Sequence, residues 1–237
     1  AGLIATLRAS GDSRPIEMLY TDLASNDFST LFRTMQGMDG DTAHAYQNSY
    51  ENVFVHGCGT GFHQQLMADA SLCLGFSATA MHYVSEKPCE IEDHVHMVGA
   101  TPDERAQFSA QAAADWERIL LARAAELAPG GRFICLNFGI DEKGCYLGHT
   151  GGQSMFDNFT HHWRALRDEG QITDQEFIRA TFAQHYRTVE EFTAPFDNPN
   201  STVRQAGLNL ISIETRLTPC PYHTLYQEAG TKMTSAD

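Results

Sequence analysis

PDERAQFSAQAAADWERILLARAAELAPGGRFICLNF, running from Pro102 to Phe138, is the stretch that decides the fold class. From Pro102 to Ala128 the apolar residues recur at helical spacing. Pro102 sits in the first turn, where its missing N–H is no loss, and Pro129-Gly130-Gly131 stops the helix. Arg132 to Phe138 (RFICLNF) then reads as a buried strand. A long helix delivering its chain straight into an apolar strand is half of a strand–helix–strand unit.

Upstream, Ile16 to Asp22 (IEMLYTD) is a short apolar run ending in an acid, which suits a buried parallel strand. Ser25 or Asn26 is expected to cap a helix carrying Phe28, Leu31 and Phe32. A loop from Gln36 to Asn52 leads to a second strand, Val53 to Gly57, then a Gly-rich turn, a short helix and a third strand around Leu72 to Phe76. Downstream, Ser154 to Arg167 and Asp174 to Gln184, the latter behind Thr173 as cap, read as helices. A polar loop, Asp197-Asn198-Pro199-Asn200, precedes a strand from Leu208 to Leu217. Ala1 to Arg8 has an apolar stripe but no cap, so it reads as the end of a helix begun upstream. Strands separated by helices mean an α/β fold built on a doubly wound, mainly parallel sheet.

The 237 residues, 42% hydrophobic and 19% charged, suffice for a proper core. With 30 Asp and Glu against 16 Lys and Arg, the net charge of -14 repels phosphate backbones and anionic membranes, so no nucleic-acid or membrane partner is expected. No apolar run approaches the roughly 20 residues of a membrane span, and no signal peptide is evident, so a cytoplasmic location is the default. Cys58, Cys73, Cys89, Cys135, Cys145 and Cys220 lack disulfide or metal spacing and read as reduced thiols.

Several residues have the chemistry of a ligand site. In doubly wound sheets ligands bind at the carboxyl ends of strands, where an acid accepts hydrogen bonds from a ribose, and Asp22 stands at such an end. On pattern alone it serves equally as a helix cap or turn residue. Asp27, at the helix start, is read as structural. Gly57-Cys58-Gly59-Thr60-Gly61 resembles a GxGxG cofactor turn, but the following strand ends without an acid, which places the turn beside a cofactor and not under its charged end. Thr79-Ala80-Met81-His82-Tyr83 sets a hydroxyl, an imidazole and a phenol within one helical turn, polar tips suited to orienting a carboxylate, though the pattern alone favours a half-buried helix whose polar ends find partners. His94-Val95-His96, near Glu90, Glu92 and Asp93, and the pair His161-His162 lack metal-site spacing and read as an exposed acidic loop and a helix face; no metal is expected.

Three blocks taken together resemble the SABATH family of S-adenosylmethionine-dependent carboxyl and N-methyltransferases. They are Asp22-Leu23-Ala24-Ser25-Asn26-Asp27-Phe28-Ser29-Thr30-Leu31-Phe32, similar to the family's DLPxNDFNxLF; Gly61-Phe62 through Ser77 to Pro88; and Arg123 to Arg132 (RAAELAPGGR), similar to its RAxELxPGGRM. The middle block has a divergent form that suggests a microbial member. The resemblance implies a class I, Rossmann-like methyltransferase fold with an α-helical cap: residues 1–152 as a partial cofactor-binding core, 153–200 as the cap, and 201–237 as a return strand and tail. It implies S-adenosylmethionine as cofactor, with Asp22 on the ribose hydroxyls, Leu23 on the adenine side and Gly61-Phe62 packed on adenine. Tyr83 falls where the family commonly places a tryptophan that holds the substrate carboxylate, with His82 as an adjacent candidate and Thr79 in place of a usual tyrosine. Met155, Phe156 and Tyr186 would line the acyl pocket.

The expected substrate is a small carboxylic acid, methylated to its ester. The alternatives are an N-methyltransferase of the same family or a non-catalytic binding module. The cap is also a candidate homodimer surface. By the resemblance, a first strand and an acidic Gly-rich loop should precede Ala1 and closing strands should follow Leu217. The chain is therefore expected to be a partial form, inactive by itself and binding the cofactor poorly or not at all.

Overall fold

β-Branched and aromatic runs bounded by Asn, Gly and Ser form the strands, and the computed structural model, which describes residues 2–40, 42, 45–149 and 154–229, pairs all of them in parallel. β1 (Ile16–Thr21) lies beside β2 (Val53–Cys58) in unbroken register from Ile16 opposite Val53 to Thr21 opposite Cys58. β3 (Leu72–Ala78) lies beside β4 (Leu127–Leu136), and β5 (Gly139–Ile140) beside β6 (Arg187–Thr188). The fold is α/β with parallel strands joined through helices, and among the described residues the strands form three separate pairs.

The helices are α1 (Gly2–Ala9), α2 (Phe28–Met35), α3 (Tyr46–Ser49), α4 (Pro102–Glu126), α5 (Met155–Asp168), α6 (Asp174–Arg179), α7 (Val189–Asp197), α8 (Thr202–Gln205) and α9 (Pro221–Ala229). α4 is the spine. A capping box between Thr101 and Glu104 starts it; of its buried stripe, Trp116, Ile119 and Leu120 meet Met81 and Val203 in the main core, and Phe108 packs with Ile91 and Met97. Trp116 donates its indole N–H to the Phe192 carbonyl and meets the Phe192 ring edge-on at 5.4 Å, docking α7 on the spine.

The structure corrects several expectations. Asp27, not Ser25 or Asn26, caps α2, accepting from the Thr30 N–H and hydroxyl at 3.0 and 2.6 Å. No helix follows the glycine turn after β2, only turns. α6 ends at Arg179, and the chain beyond it bonds to the segment after β3, Ala183 accepting from the Val84 N–H and His185 donating to the His82 carbonyl. The Pro129-Gly130-Gly131 stretch lies inside β4 as a bulge: Leu72 pairs with Leu127, yet Leu74 pairs with Arg132. Residues 208–217 form no strand. A strand exists only where a neighbour takes up its backbone groups, and no described residue pairs with these, so Leu210, Ile211 and Leu217 stand exposed. The tail from Gly230 to Asp237, Ala1 and the start of the cap at 150–153 lie outside the described residues.

The bulge depends on Gly131. A Cβ there would lie 2.9 Å from the carbonyl oxygens of both Ala128 and Leu72. Gly131→Ala is expected to cost about 1–3 kcal/mol by forcing the backbone apart, read as a lower urea midpoint with unchanged slope. An unshifted midpoint would mean that the bulge relaxes freely.

Candidate functional site

At the C-terminal end of β1 the chain turns sharply, and Asp22 braces that turn: its carboxylate accepts from the Leu23 N–H at 2.7 Å and from the Asn26 amide at 2.8 Å. The residue remains exposed, so lone pairs are left for a ligand. Leu23 beside it is 60% exposed. The glycine turn after β2 packs against this corner. A Cβ on Gly61 would approach the Leu23 side chain to 3.3 Å, and one on Gly59 would meet the Ala24 Cα at 3.2 Å. A cavity of about 190 Å³ opens there among Ala24, Phe28, Phe32, Gly57 and Gly59. Asp22, Leu23 and Gly61 are thus brought together. Phe62 is partly buried against the Met81, Trp116 and Leu120 cluster.

The turn carrying Gly61 and Phe62 is held from α4. Arg123 and Glu126, both almost fully buried, form a two-pronged ion pair at 2.7 Å on each arm. Arg123 also donates to the Phe62 and Gln64 carbonyls, and Glu126 accepts from the Leu66 N–H. These five contacts satisfy both charged groups, which is what lets this pair remain buried.

The second group lies beyond β3. Thr79 adopts a left-handed conformation (φ 52°) and donates its N–H to the Leu136 carbonyl, ending the strand. The following residues make a tight turn, with the Tyr83 N–H bonded to the Ala80 carbonyl, and not the helical turn expected. The segment after α6 clamps this turn: Tyr83 bridges Gln184, and the His185 N–H donates to the His82 carbonyl. His82 is buried, its ring 4.5 Å from Tyr83, 4.9 Å from Phe138 and 5.7 Å from Tyr186. Burial, reinforced by nearby Arg187, pushes its pKa down to about 4, so the imidazole is neutral at pH 7, and its Nδ1 has no hydrogen-bond partner among the described residues. The Tyr83 side chain is about half exposed. Phe156 and Tyr186 are buried in one cluster with Phe138, Ile140 and Met155, and burial pushes the Tyr186 phenol up to about 12. His82, Tyr83, Met155, Phe156 and Tyr186 therefore gather around one aromatic cluster; Thr79 ends the strand that leads to it. A cavity of about 380 Å³ borders Tyr186 on its other side, among Met97, Arg105, Ile140 and Glu191.

The residue pattern left four supporting groups unnoticed. His94, Val95 and His96 are buried, contrary to the exposed loop expected: His96 stacks on Phe156 at 4.0 Å, and His94 pairs with Asp157 at 3.1 Å. Asp115, fully buried, accepts from the Ser85 N–H and hydroxyl, both at 2.7 Å. Arg187, also buried, donates to the Met81 carbonyl at 2.6 Å and the Ala112 carbonyl at 2.7 Å. The Arg123–Glu126 pair is the fourth. The legible signal was an acid, Asp115, standing within the apolar stripe of α4.

A family described as SAM dependent carboxyl methyltransferase matches this sequence over residues 5–201, from α1 to α7 and the loop beyond it. The chain belongs to that family. Its relatives include Gibberellic acid methyltransferase 1 of Arabidopsis thaliana, 24% identical over 82% of this chain and 54% of that protein. Probable 7-methylxanthine methyltransferase 2 of Theobroma cacao is 25% identical over 78% of this chain and 47% of its own length. Among solved structures, loganic acid methyltransferase with SAH superposes with a TM-score of 0.66 at 20% identity, covering 81% of this chain and 53% of that one, which supports the shared fold. The chain spans about half the length of the relatives it matches. Within this carboxyl methyltransferase family member, none of the six cysteines is in a disulfide, and no helix among the described residues is long and apolar enough to cross a membrane.

Proposed function

We propose that this chain carries the cofactor corner and the carboxylate-orienting turn of an S-adenosylmethionine-dependent carboxyl methyltransferase acting on a small organic acid. The observation that carries the reading is the Asp22 carboxylate, exposed at the end of β1, already braced by Leu23 and Asn26, beside the bare backbone of Gly61. An adenosine needs an acceptor pair for the ribose hydroxyls, a flat apolar face and close backbone approach. Asp22, Leu23 and the Gly61-Phe62 turn fit those needs. Residues 1–152 are then read as the partial cofactor core and 153–200 as the cap over the acyl pocket.

The bound cofactor supplies an electrophilic methyl group. The acid needs no base, because its carboxylate is ionised near neutral pH. What remains for this chain is to orient one oxygen and exclude water. Tyr83 donates its phenol to the carboxylate, and Thr79 and His82 flank the same turn. A neutral His82 orients the oxygen without the full countercharge that would blunt its nucleophilicity. Phe156, Met155 and Tyr186 supply the dry wall. Methylation of a ring nitrogen is the competing reading, supported by the 7-methylxanthine relative; turnover of carboxylic acids but not of heterocyclic amines separates the two.

The first test is calorimetric titration of the folded chain with S-adenosylhomocysteine. Saturable binding, weak as the sequence leads one to expect, should fall about 10- to 100-fold in Asp22→Ala, the loss of a charge-assisted contact. Equal affinity in both proteins removes Asp22 from the ribose, and no binding to a folded, intact protein overturns the methyltransferase reading.

A further inference from the structure

Against the turn that carries His82 and Tyr83 lies a buried cation with no acid bound to it. Arg187 is 1% exposed; one arm of its guanidinium donates to the Met81 carbonyl at 2.6 Å and the other to the Ala112 carbonyl of α4 at 2.7 Å. The rings of Trp116 and Phe192 stand 5.6 and 5.8 Å from its centre, and its Nε has no hydrogen-bond partner among the described residues. Two acids lie near enough to feel the charge, and both are engaged elsewhere: Asp115 with Ser85, Gln111 and Arg118, Glu191 with His185, Ser109 and the Thr188 N–H. Arg123 shows the contrast, because that buried guanidinium meets Glu126 on both arms.

We infer that Arg187 selects for an anionic substrate: its unpaired charge, fixed against the turn that bears Tyr83, favours a carboxylate there over a neutral group of the same shape. The inference rests on the methyltransferase reading for what this turn binds. A guanidinium taken out of water is costly unless its charge is answered, and two carbonyl dipoles and two ring faces answer only part of it. An anion arriving at the turn completes the balance, in surroundings where little water screens the attraction. The backbone fixes the charge in place. Arg187 holds Met81, one residue before His82; on its own segment the His185 N–H holds the His82 carbonyl, and Gln184 bridges Tyr83. The charge also registers at the turn, where it helps to keep the His82 imidazole neutral. Being sealed behind the backbone, the guanidinium does not touch the substrate oxygens, so Arg187 is a positioning residue that leaves the contact to Tyr83. Attraction at this remove draws in the acid without tying up the lone pair that attacks the methyl group. A neutral heterocycle gains nothing from it.

The test titrates the protein at pH 7, with and without S-adenosylhomocysteine, with sodium benzoate and with benzamide, a neutral probe of nearly the same shape. Wild type is expected to prefer benzoate by about tenfold. Arg187→Gln keeps an amide donor but removes the charge, and should bring the two affinities together. Arg187→Lys keeps the charge but loses the planar fork, and should retain the preference. A purely structural role predicts instead that both variants weaken both probes alike, with no rescue by lysine. Equal affinity of wild type for the two probes, or binding of neither, overturns the proposal, as does a preference that survives in Arg187→Gln. Should Arg187→Gln fail to fold, Arg187→Lys decides: a retained preference supports the proposal and a lost one overturns it. Binding of S-adenosylhomocysteine without a preference for benzoate sinks the proposal and leaves the methyltransferase reading standing. A preference for benzoate without S-adenosylhomocysteine binding sinks that reading and leaves Arg187 as a selector of anions.

Discussion

Replacing Arg123 with methionine should destabilise the chain by about 3–5 kcal/mol and release the cofactor turn, the largest effect expected of any single change outside the apolar core. Arg123 and Glu126 are both nearly inaccessible, and the substitution strands the Glu126 carboxylate in a low-dielectric site with only the Leu66 N–H for company. It also frees the carbonyls of Phe62 and Gln64. Removing both charges, in Arg123→Met/Glu126→Leu, should recover part of that loss, because a vacated ion pair costs less than a broken one. Urea denaturation of the two variants tests the expectation. A double variant less stable than the single would show that the backbone contacts, and not the stranded charge, set the cost.

Stability should also fall steeply on mild acidification, and the cause is a pair of buried imidazoles. Burial holds His82 at about 4 and His96 at about 3, in the latter case helped by His94, His185 and His82 itself. An unfolded histidine takes up a proton near pH 6.5, so below that pH the unfolded state binds protons that the folded state refuses. Their stabilising effect is therefore complete above about 6.5 and is lost progressively as the pH falls toward 4 and then 3. Between pH 7 and pH 5 each contributes a loss of about 2 kcal/mol. Glu191 adds to the loss at lower pH: despite burial, hydrogen bonds from His185 and Ser109 hold it at about 2, so its contribution fades below the usual carboxylate range. Urea midpoints at pH 7 and pH 5 measure the effect, and His96→Phe should remove about half of it. Equal midpoints at the two pH values would mean that these rings are hydrated in solution.

Helix α4 was legible because its start and its stripe are local: Thr101, Pro102 and Glu104 begin it whatever surrounds them. The same holds for β1 and β2, where apolar runs meet turn residues. Residues 208–217 show the opposite case. Their pattern suits a strand, but a strand is a property of two chains, and no described residue pairs with them. His94 to His96 misled for a related reason. Local acids suggest solvent, yet contacts with Asp157, Phe156 and Thr160 on α5, far along the chain, bury them. Asp22, Leu23 and Gly61 were singled out by motif resemblance and lie at one corner of the fold, whereas Asp115 and Arg187 carry no motif. They matter because of which carbonyl, amide or ring lies opposite, and that is decided only by the fold.

Arg187 has a consequence for the order of assembly. Its bonds to Met81 and Ala112 span 106 and 75 residues of chain. During synthesis at about 5–20 residues per second, the turn bearing His82 and Tyr83 waits on the order of 5–20 seconds for the guanidinium that will fasten it. The turn bearing His82 and Tyr83 is thus among the last parts to set, and a nascent chain halted before residue 187 would hold its β1–β2 corner while this turn stayed unfastened.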